Sequence, residues 1–221
     1  MPPSRLSPLQ RRVLMLLAGT RPVWTLTGGG ALAGVHLGHR TTRDLDLFWR
    51  DTASLAGTAD AVVARLRAQG LSVDLLQTSP AFQQLRVADA GDVVVVDLVA
   101  DPVPNLEPPI EVKLGDAVMQ VDSAYEIFVN KLCALLGRSE LRDLIDVHAL
   151  LLHGLDLNRA LLDAPKKDSG FSPLTLAWVL KQQPLAAIGS TAGLDAVTTN
   201  QLLVFRDELV ERVMASARPS P

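Results

Sequence analysis

Three glycines and two aspartates lie close together near the start of the chain. Gly28, Gly29 and Gly30 follow a short apolar segment, and Asp44 and Asp46 lie in the apolar run DLDLFW. Residues i and i+2 of a β-strand point to the same face, so the two carboxylates are predicted to lie side by side. Carboxylates at that separation repel each other unless a cation lies between them. Mg²⁺ suits this position because it binds one or two carboxylates and fills its other positions with water and phosphate oxygens.

The glycines supply the second half of this pattern. A glycine-rich segment lets the backbone approach a phosphate closely, and the N–H groups at the start of a following helix attract negative charge. The commoner phosphate motifs do not fit: the chain has no G-x-x-x-x-G-K-[ST], and three consecutive glycines do not match G-x-G-x-x-G. Either feature alone is also typical of a tight turn or an exposed edge strand. Together, in the order strand, loop, helix, strand, they indicate nucleotidyl or phosphoryl transfer.

A candidate third carboxylate is Asp97. It lies in GDVVVVDLVAD, residues 91–101, which is typical of a strand that is apolar on both faces. A carboxylate in such a strand requires a metal or a hydrogen-bonding partner. The alternative is a solvent-exposed acid near the end of the strand. Asp101 is assigned to the loop before Pro102.

A second group of polar residues lies between residues 124 and 152. The apolar spacing there predicts two helices separated near Gly137. Lys131 lies on the first helix and Asp143 on the second. A lysine is a compact charge suited to a triphosphate, and an aspartate on the facing helix can orient it. The alternatives are a surface lysine whose stem covers apolar neighbours, and a surface ion pair for the aspartate.

Composition limits the class of protein. The chain has 221 residues, 48% of them hydrophobic, a formal net charge of −3 and one cysteine. It is therefore globular, and a disulfide framework is excluded, which favours a cytoplasmic location. The N-terminal apolar run is too short to cross a membrane, so no membrane partner is expected. The acidic balance argues against broad nonspecific nucleic-acid binding, although a local patch of arginines remains a candidate for binding one RNA end.

The elements around these residues predict an α+β fold. A small mixed β-sheet with flanking helices, residues 1–110, is followed by a mainly helical part, residues 111–221. A stiff proline-rich connection at residues 102–109 separates them, and the active site is expected in the groove between them. The segment from Leu162 is assigned to a loop. Helices are predicted near 7–18, 30–38, 54–69, 123–137, 140–152, 172–182 and 198–216, and strands near 23–26, 44–49, 71–77, 82–87 and 93–99.

The first segment resembles the signature of polymerase-β-type nucleotidyltransferases. It is most similar to the AbiEii/AbiGii toxin branch, whose pattern is T-G-G-[TS]-A-L-A followed by G-H-R-x-S-x-D-[IL]-D-L-F. The chain reads TGGGALA at 27–33 and GHRTTRDLDLF at 38–48. The downstream pattern K-x-x-A-L-x-x-R-x-x-x-R-D-x-x-D is matched at 131–146. Two positions depart from the family: Gly30 replaces a hydroxyl residue, and Thr42 replaces a serine.

The resemblance implies an enzyme that moves a nucleoside monophosphate from an NTP to a hydroxyl acceptor and releases pyrophosphate. The cofactor is expected to be Mg²⁺, with Mn²⁺ as an alternative. The implied acceptor is the 3′ end of an RNA such as tRNA, and the implied role is the toxin of a toxin–antitoxin pair with a cognate antitoxin. The implied metal ligands are Asp44, Asp46 and Asp97, the catalytic set adds Lys131 and Asp143, and the nucleotide contacts are Gly28, Gly29, Gly30, Arg40, Arg43 and Lys131.

Two other functions remain open at this point. The acceptor is alternatively a small molecule, such as the hydroxyl of an aminoglycoside-like compound. The other alternative is a nucleotide- or antitoxin-binding module without turnover, if Gly30 marks a degraded site. Arg40 and Arg43 are equally compatible with ordinary surface charge.

Overall fold

The computed structural model describes residues 4–138 and 140–217. Within these residues the chain forms seven β-strands and nine α-helices, which confirms the predicted α+β class. The chain divides into two compact units, Met1–Ala124 and Tyr125–Pro221. All the described strands lie in the first unit, and the described part of the second unit is helical.

The first unit is built on one mixed sheet. Its strands are β1 (Thr25–Thr27), β2 (Asp44–Arg50), β3 (Ser72–Thr78), β4 (Phe82–Asp89), β5 (Asp92–Asp101), β6 (Ile110–Leu114) and β7 (Ala117–Val121). The strand order is β3-β4-β5-β2-β1-β7-β6. β2 runs parallel to β5 and β1 runs parallel to β7, whereas the other neighbours are antiparallel.

The sheet has one apolar and one mixed face around its centre. Leu45 and Leu47 of β2 and Val96 of β5 are completely buried in the core. The alternate residues of both strands are half-buried, and they include the aspartates of the predicted site. The strict alternation of a strand therefore places the core on one face and the polar groups on the other.

The predicted description of β5 was partly wrong. The strand is not apolar on both faces, because every second residue from Val95 onward is only half-buried. Asp97 lies in the middle of the strand, and Asp101 is its last residue rather than part of a loop. A run of consecutive valines conceals this alternation, since valine suits either face.

Three helices and a π-helical turn complete the first unit. They are α1 (Pro8–Leu17), α2 (Gly28–Ala31) continuing into the turn Leu32–His36, and α3 (Thr58–Ala68). α1 begins with a capping box in which Ser7 and Gln10 exchange side-chain hydrogen bonds with each other's backbone. α1 contacts α3 and β5.

The second unit contains a long helix that contacts four of its other helices. The helices of this unit are α4 (Ala124–Gly137), α5 (Leu141–Leu152), α6 (Leu157–Lys167), α7 (Pro173–Gln182), α8 (Leu185–Thr191) and the long α9 (Ala196–Ser216). α9 contacts α5, α6, α7 and α8. No helix within the described residues is long and apolar enough to cross a membrane.

The sequence did not predict the hairpin formed by β6 and β7. Its signal is the two-residue turn Gly115–Asp116 between strand-like segments, with Gly115 at a φ of +62°. β7 pairs with β1, so the hairpin completes the sheet of the first unit. Along the chain, the first compact unit ends at Ala124, after this hairpin.

Two helices were also missed. The segment from Leu162 is the second half of α6, which begins at an Asp156 cap and contains Pro165. Lys167, in this segment, has a side chain only 5% exposed and forms an ion pair with the fully buried Glu126 at 2.7 Å. The second missed helix is α8, a short helix between α7 and α9.

Candidate active site

The glycine segment begins directly beside the D-x-D strand. Thr27 of β1 pairs with Asp46 of β2, and Gly28 then turns into α2 with a φ of +58°. A Cβ atom on Gly28 would collide with the Oδ2 atom of Asp46. Both the left-handed backbone and the lack of space require glycine here. The structure therefore brings the predicted loop and the predicted carboxylate together.

Gly29 faces the segment that precedes β2. A Cβ atom on Gly29 would lie 3.1 Å from a guanidinium nitrogen of Arg40 and 3.1 Å from Oγ1 of Thr42. Thr42 is held in turn, because its carbonyl accepts a hydrogen bond from Nε2 of Gln10 at 3.0 Å. The guanidinium of Arg40 thus lies beside the glycine loop, whereas Arg43 is an exposed residue just before β2.

The Cβ position of Gly30 faces different neighbours from that of Gly28. It is buried, and a Cβ atom on it would lie 3.2 Å from a methyl of Leu45 and 3.3 Å from a methyl of Leu26. These leucines occupy the space next to the position where the family pattern has a hydroxyl residue. A side chain at position 30 would therefore begin against these two leucines, whereas one at position 28 would begin against Asp46.

The three candidate carboxylates lie on one face of the sheet. Asp46 and Asp97 are register partners on the parallel strands β2 and β5, and Asp44 pairs with Val95. Neighbouring strands lie about 4.8 Å apart, so these side chains are adjacent. On the far side of Asp97, Nε2 of Gln84 donates a hydrogen bond to Oδ1 of Asp97 at 3.0 Å.

The donor chemistry of this face fits a hard divalent cation, since carboxylate oxygens are the ligands that Mg²⁺ prefers. No group of three or more His, Cys, Asp or Glu side chains among the described residues is close enough to form a complete metal cage. Mg²⁺ characteristically uses one or two carboxylates together with substrate phosphates. The three-carboxylate ligand set stays a prediction.

Lys131 forms the centre of a buried charge cluster in the second unit. Its Nζ atom lies 2.6 Å from Oδ1 of Asp143 and 2.9 Å from Oδ2 of Asp146. The lysine side chain is 10% exposed, and both aspartate side chains are completely buried. Arg138 adds a second cation, with Nε at 2.8 Å from Oδ2 of Asp143. Lys131 is therefore not a surface lysine. Asp143 does pair with Arg138, whose side chain is 56% exposed, but its own carboxylate is completely buried.

Charge pairing outweighs desolvation in this cluster. Burial by itself lowers the pKa of Lys131, but attraction to Asp146 and Asp143 raises it above the ordinary value of 10.5. Burial by itself raises the pKa of Asp143, but hydrogen bonds and charge attraction from Arg138 and Lys131 bring it below 3.8. Both groups are charged at neutral pH, so Lys131 presents a fixed positive charge.

A second buried cluster was not predicted. Arg50, on the same face of β2 as Asp46, forms ion pairs with Asp101 at the end of β5 and with Asp122 just after β7. Asp122 is completely buried, and its Oδ1 also accepts a hydrogen bond from Asn105 at 3.1 Å. This cluster links three strand ends that are distant in sequence, so residue spacing alone carries no signal for it.

Comparison with known families identifies the chain. The family model described as the nucleotidyl transferase AbiEii toxin of type IV toxin–antitoxin systems matches residues 12–215. The chain belongs to the AbiEii family. It is a nucleotidyltransferase of a toxin family, as the motifs predicted, and this family assignment implies an antitoxin as its counterpart. Among curated proteins no significant match was found.

Solved structures support the fold of this AbiEii protein. JHP933 from Helicobacter pylori matches with a TM-score of 0.55 and 20% identity, over 95% of this chain and 92% of that one. MenT4, a nucleotidyltransferase toxin from Mycobacterium tuberculosis, matches with a TM-score of 0.56 and 18% identity, over 96% of this chain and 91% of that one. At these identities the likeness establishes a shared fold.

Proposed function

We propose that this AbiEii protein is a Mg²⁺-dependent enzyme that transfers a nucleoside monophosphate from an NTP to the 3′ end of an RNA, with tRNA as the substrate class. The observation that carries the proposal is the juxtaposition of Gly28, Asp46 and Asp97 on one face of the sheet. It combines a close backbone approach for phosphate with adjacent oxygen ligands for a cation.

The glycine loop is proposed to bind the triphosphate. Gly28 and Gly29 lack side chains at the positions nearest to Asp46 and Arg40, so a phosphate can approach the backbone N–H groups there. The guanidinium of Arg40 beside Gly29 adds a planar donor set that suits phosphate oxygens. The loop thus orients the nucleotide and balances part of its charge.

The carboxylates are proposed to hold the cation. β2 presents the carboxylates of Asp44 and Asp46 together, and Asp97 lies next to Asp46. When bound, Mg²⁺ supplies Lewis-acid stabilisation of charge on the α-phosphate and on the departing pyrophosphate. Asp97 either completes this ligand set or accepts the proton that the attacking hydroxyl loses.

Lys131 is proposed to stabilise the β- and γ-phosphates. Its two carboxylate partners hold the side chain in one orientation and keep it protonated. A fixed cation favours the transition state because it needs no rearrangement as charge develops on the leaving group. Asp143 acts through Lys131 by positioning it.

The test is labelling of RNA. Purified protein is incubated with Mg²⁺, total tRNA and each α-³²P NTP in turn, and the RNA is resolved on a denaturing gel. Label on tRNA with at least one NTP is expected, and Asp46→Asn should abolish it. Asp116→Asn, which removes an exposed carboxylate from the turn between β6 and β7, is the matched control and should label normally.

Absence of label with every NTP would contradict the RNA acceptor. A second reaction series with aminoglycosides in place of tRNA then distinguishes a small-molecule enzyme from a protein that binds NTP without turnover. Label that persists in Asp46→Asn would contradict the catalytic role of the carboxylates.

A further inference from the structure

We propose that Gln84 is a positioning residue for the metal site, acting through the carboxylate of Asp97. The inference rests on the proposed function, because it assumes that Asp97 serves the cation or the proton transfer. It adds a residue from β4, a strand that contributes nothing to the predicted site.

The first support is the register of three strands. Gln84 of β4 pairs with Asp97 of β5, and Asp97 pairs with Asp46 of β2. Directly opposed side chains in neighbouring strands have Cβ atoms about 5 Å apart, so Gln84 and Asp46 approach Asp97 from opposite sides. Asp97 therefore lies between a carboxylate and an amide.

The second support is the hydrogen bond itself. Nε2 of Gln84 donates to Oδ1 of Asp97 at 3.0 Å, and both residues are half-buried on the polar face. The last torsion of an aspartate is broad, so each hydrogen bond to it narrows the directions of its oxygens. Repulsion from Asp46 would otherwise favour orientations in which Asp97 turns away from the shared site.

The third support is the chemistry of the amide. A glutamine can fix a carboxylate without neutralising it, so the negative charge that attracts a divalent cation is kept. An arginine or lysine in the same position would form an ion pair with Asp97 and compete with the cation. Partners of this kind, one step removed from a metal, typically change metal affinity by about 10- to 100-fold.

The experiment measures Mn²⁺ binding to the full chain by the loss of the free-ion EPR signal, without NTP. Gln84→Met keeps the length of the side chain but removes the donor, and it should weaken the Kd for Mn²⁺ by about tenfold. Gln83→Met, whose register partner Leu98 lies on the core face, is the matched control and should leave the Kd unchanged. Far-UV circular dichroism and Tm check folding, and Gln84→Ala provides a second variant.

A second readout separates positioning from a general structural effect. If Gln84 acts through the metal site, raising Mg²⁺ in the labelling reaction should restore Gln84→Met to most of the wild-type rate, whereas Asp46→Asn should not recover. A purely structural role predicts the same loss at every Mg²⁺ concentration.

Two outcomes would overturn the inference. One is an unchanged Mn²⁺ Kd in Gln84→Met although Asp97→Asn weakens binding, which leaves the proposed function intact. The other is a wild-type chain that binds no Mn²⁺ without NTP, which contradicts a cation site formed by the carboxylates alone. The RNA-labelling result then decides separately whether nucleotidyl transfer occurs.

Discussion

At the residue scale, the three consecutive glycines have different roles despite their identical chemistry. Gly28 has a left-handed backbone and lies against the carboxylate of Asp46, whereas Gly30 has a helical environment and lies against leucine methyls. The family pattern allows a hydroxyl residue only at the third position. The packing is consistent with this pattern. The flexible leucine side chains near Gly30 can shift to make room for a larger residue, whereas the carboxylate of Asp46 near Gly28 cannot move without changing the site.

This difference predicts that two alanine substitutions affect different properties of the protein. Gly28→Ala should lower RNA labelling by about 100-fold, because a displacement of about 1 Å at a catalytic group has an effect of that size. It should also destabilise the fold by about 1–2 kcal/mol through the left-handed backbone. Gly30→Ala should keep most of the activity, and its cost should appear as a lower Tm from crowding of Leu26 and Leu45.

Initial rates of RNA labelling and thermal denaturation of both variants check this prediction. Gly29→Ala is an intermediate case, since its Cβ atom would meet Arg40 and Thr42 at 3.1 Å. Equal losses of activity in Gly28→Ala and Gly30→Ala would contradict the assignment of separate roles.

At the scale of elements, Arg50 joins the ends of three strands. Its side chain is 11% exposed and pairs with Asp101 and the fully buried Asp122. Arg50→Met leaves both carboxylates without this cation, and breaking a buried pair costs about 3–5 kcal/mol. We therefore expect the free energy of unfolding in urea to fall by that amount.

The matched control for Arg50 is Arg86→Met on β4. Arg86 forms an ion pair with Asp74 at 3.1 Å, but both side chains are largely exposed. Exposed pairs contribute about 0–1 kcal/mol, so this variant should remain close to the wild type. A loss for Arg50→Met no larger than that for Arg86→Met would show that the strand ends are held by other contacts.

The stability that the ion pair between Lys131 of α4 and Asp143 of α5 contributes should depend on pH. The pKa of Asp143 is lower in the folded chain than its ordinary value, so the folded state binds its proton less readily than the unfolded state. Its stabilising contribution is complete above about pH 5 and is lost as the pH falls through the folded pKa. The advantage of the wild type over Asp143→Asn should therefore be largest at neutral pH, at about 3 kcal/mol.

Urea unfolding of the wild type and Asp143→Asn at a series of pH values from 7 downward measures this dependence. The difference between the two free energies should shrink below about pH 4. Glu140→Gln, which removes the carboxylate that Arg142 contacts on the surface, is the control and should show no such convergence. A difference that stays constant with pH would mean that Asp143 is not ionised in the folded chain.

The elements show which parts of the molecule a single sequence reveals. Local signals were sufficient for the D-x-D strand, the glycine turn and the helices that carry Lys131 and Asp143. The hairpin of β6 and β7 was missed although its Gly115–Asp116 turn was visible, because the preceding prolines suggested only a stiff connection to a helical part. The partners of Asp97 and Arg50 could not be predicted from the sequence. Only strand order and register bring Gln84 next to Asp97, and Asp101 and Asp122 next to Arg50.

At the scale of the whole molecule, charge bears on how an RNA would be bound. The formal net charge is −3, so the chain has no global attraction for a polyanion. Two other arginines of the first unit have contacts within the protein: Arg12 pairs with Asp89, and Arg65 donates to the carbonyl of Leu16. Arg40, whose Nη1 donates to the carbonyl of Thr41, lies at the glycine loop, and the exposed Arg43 lies just before β2. RNA binding by this chain is therefore expected to be local and restricted to the end of the strand.

Membership of a toxin family predicts an effect on living cells that depends on the same carboxylates. Induced expression of the chain in a bacterial host should arrest growth, because the proposed modification of an RNA 3′ end would block the use of that RNA in translation. Asp46→Asn removes one carboxylate and its charge from the polar face of the sheet, and it should restore growth to that of an empty-vector strain. Asp116→Asn carries the same chemical change in the exposed β6–β7 turn and should remain toxic. Immunoblotting for equal protein levels is essential, since loss of folding would mimic loss of activity. Growth arrest that persists in Asp46→Asn at wild-type abundance would mean that toxicity arises from binding rather than from nucleotidyl transfer.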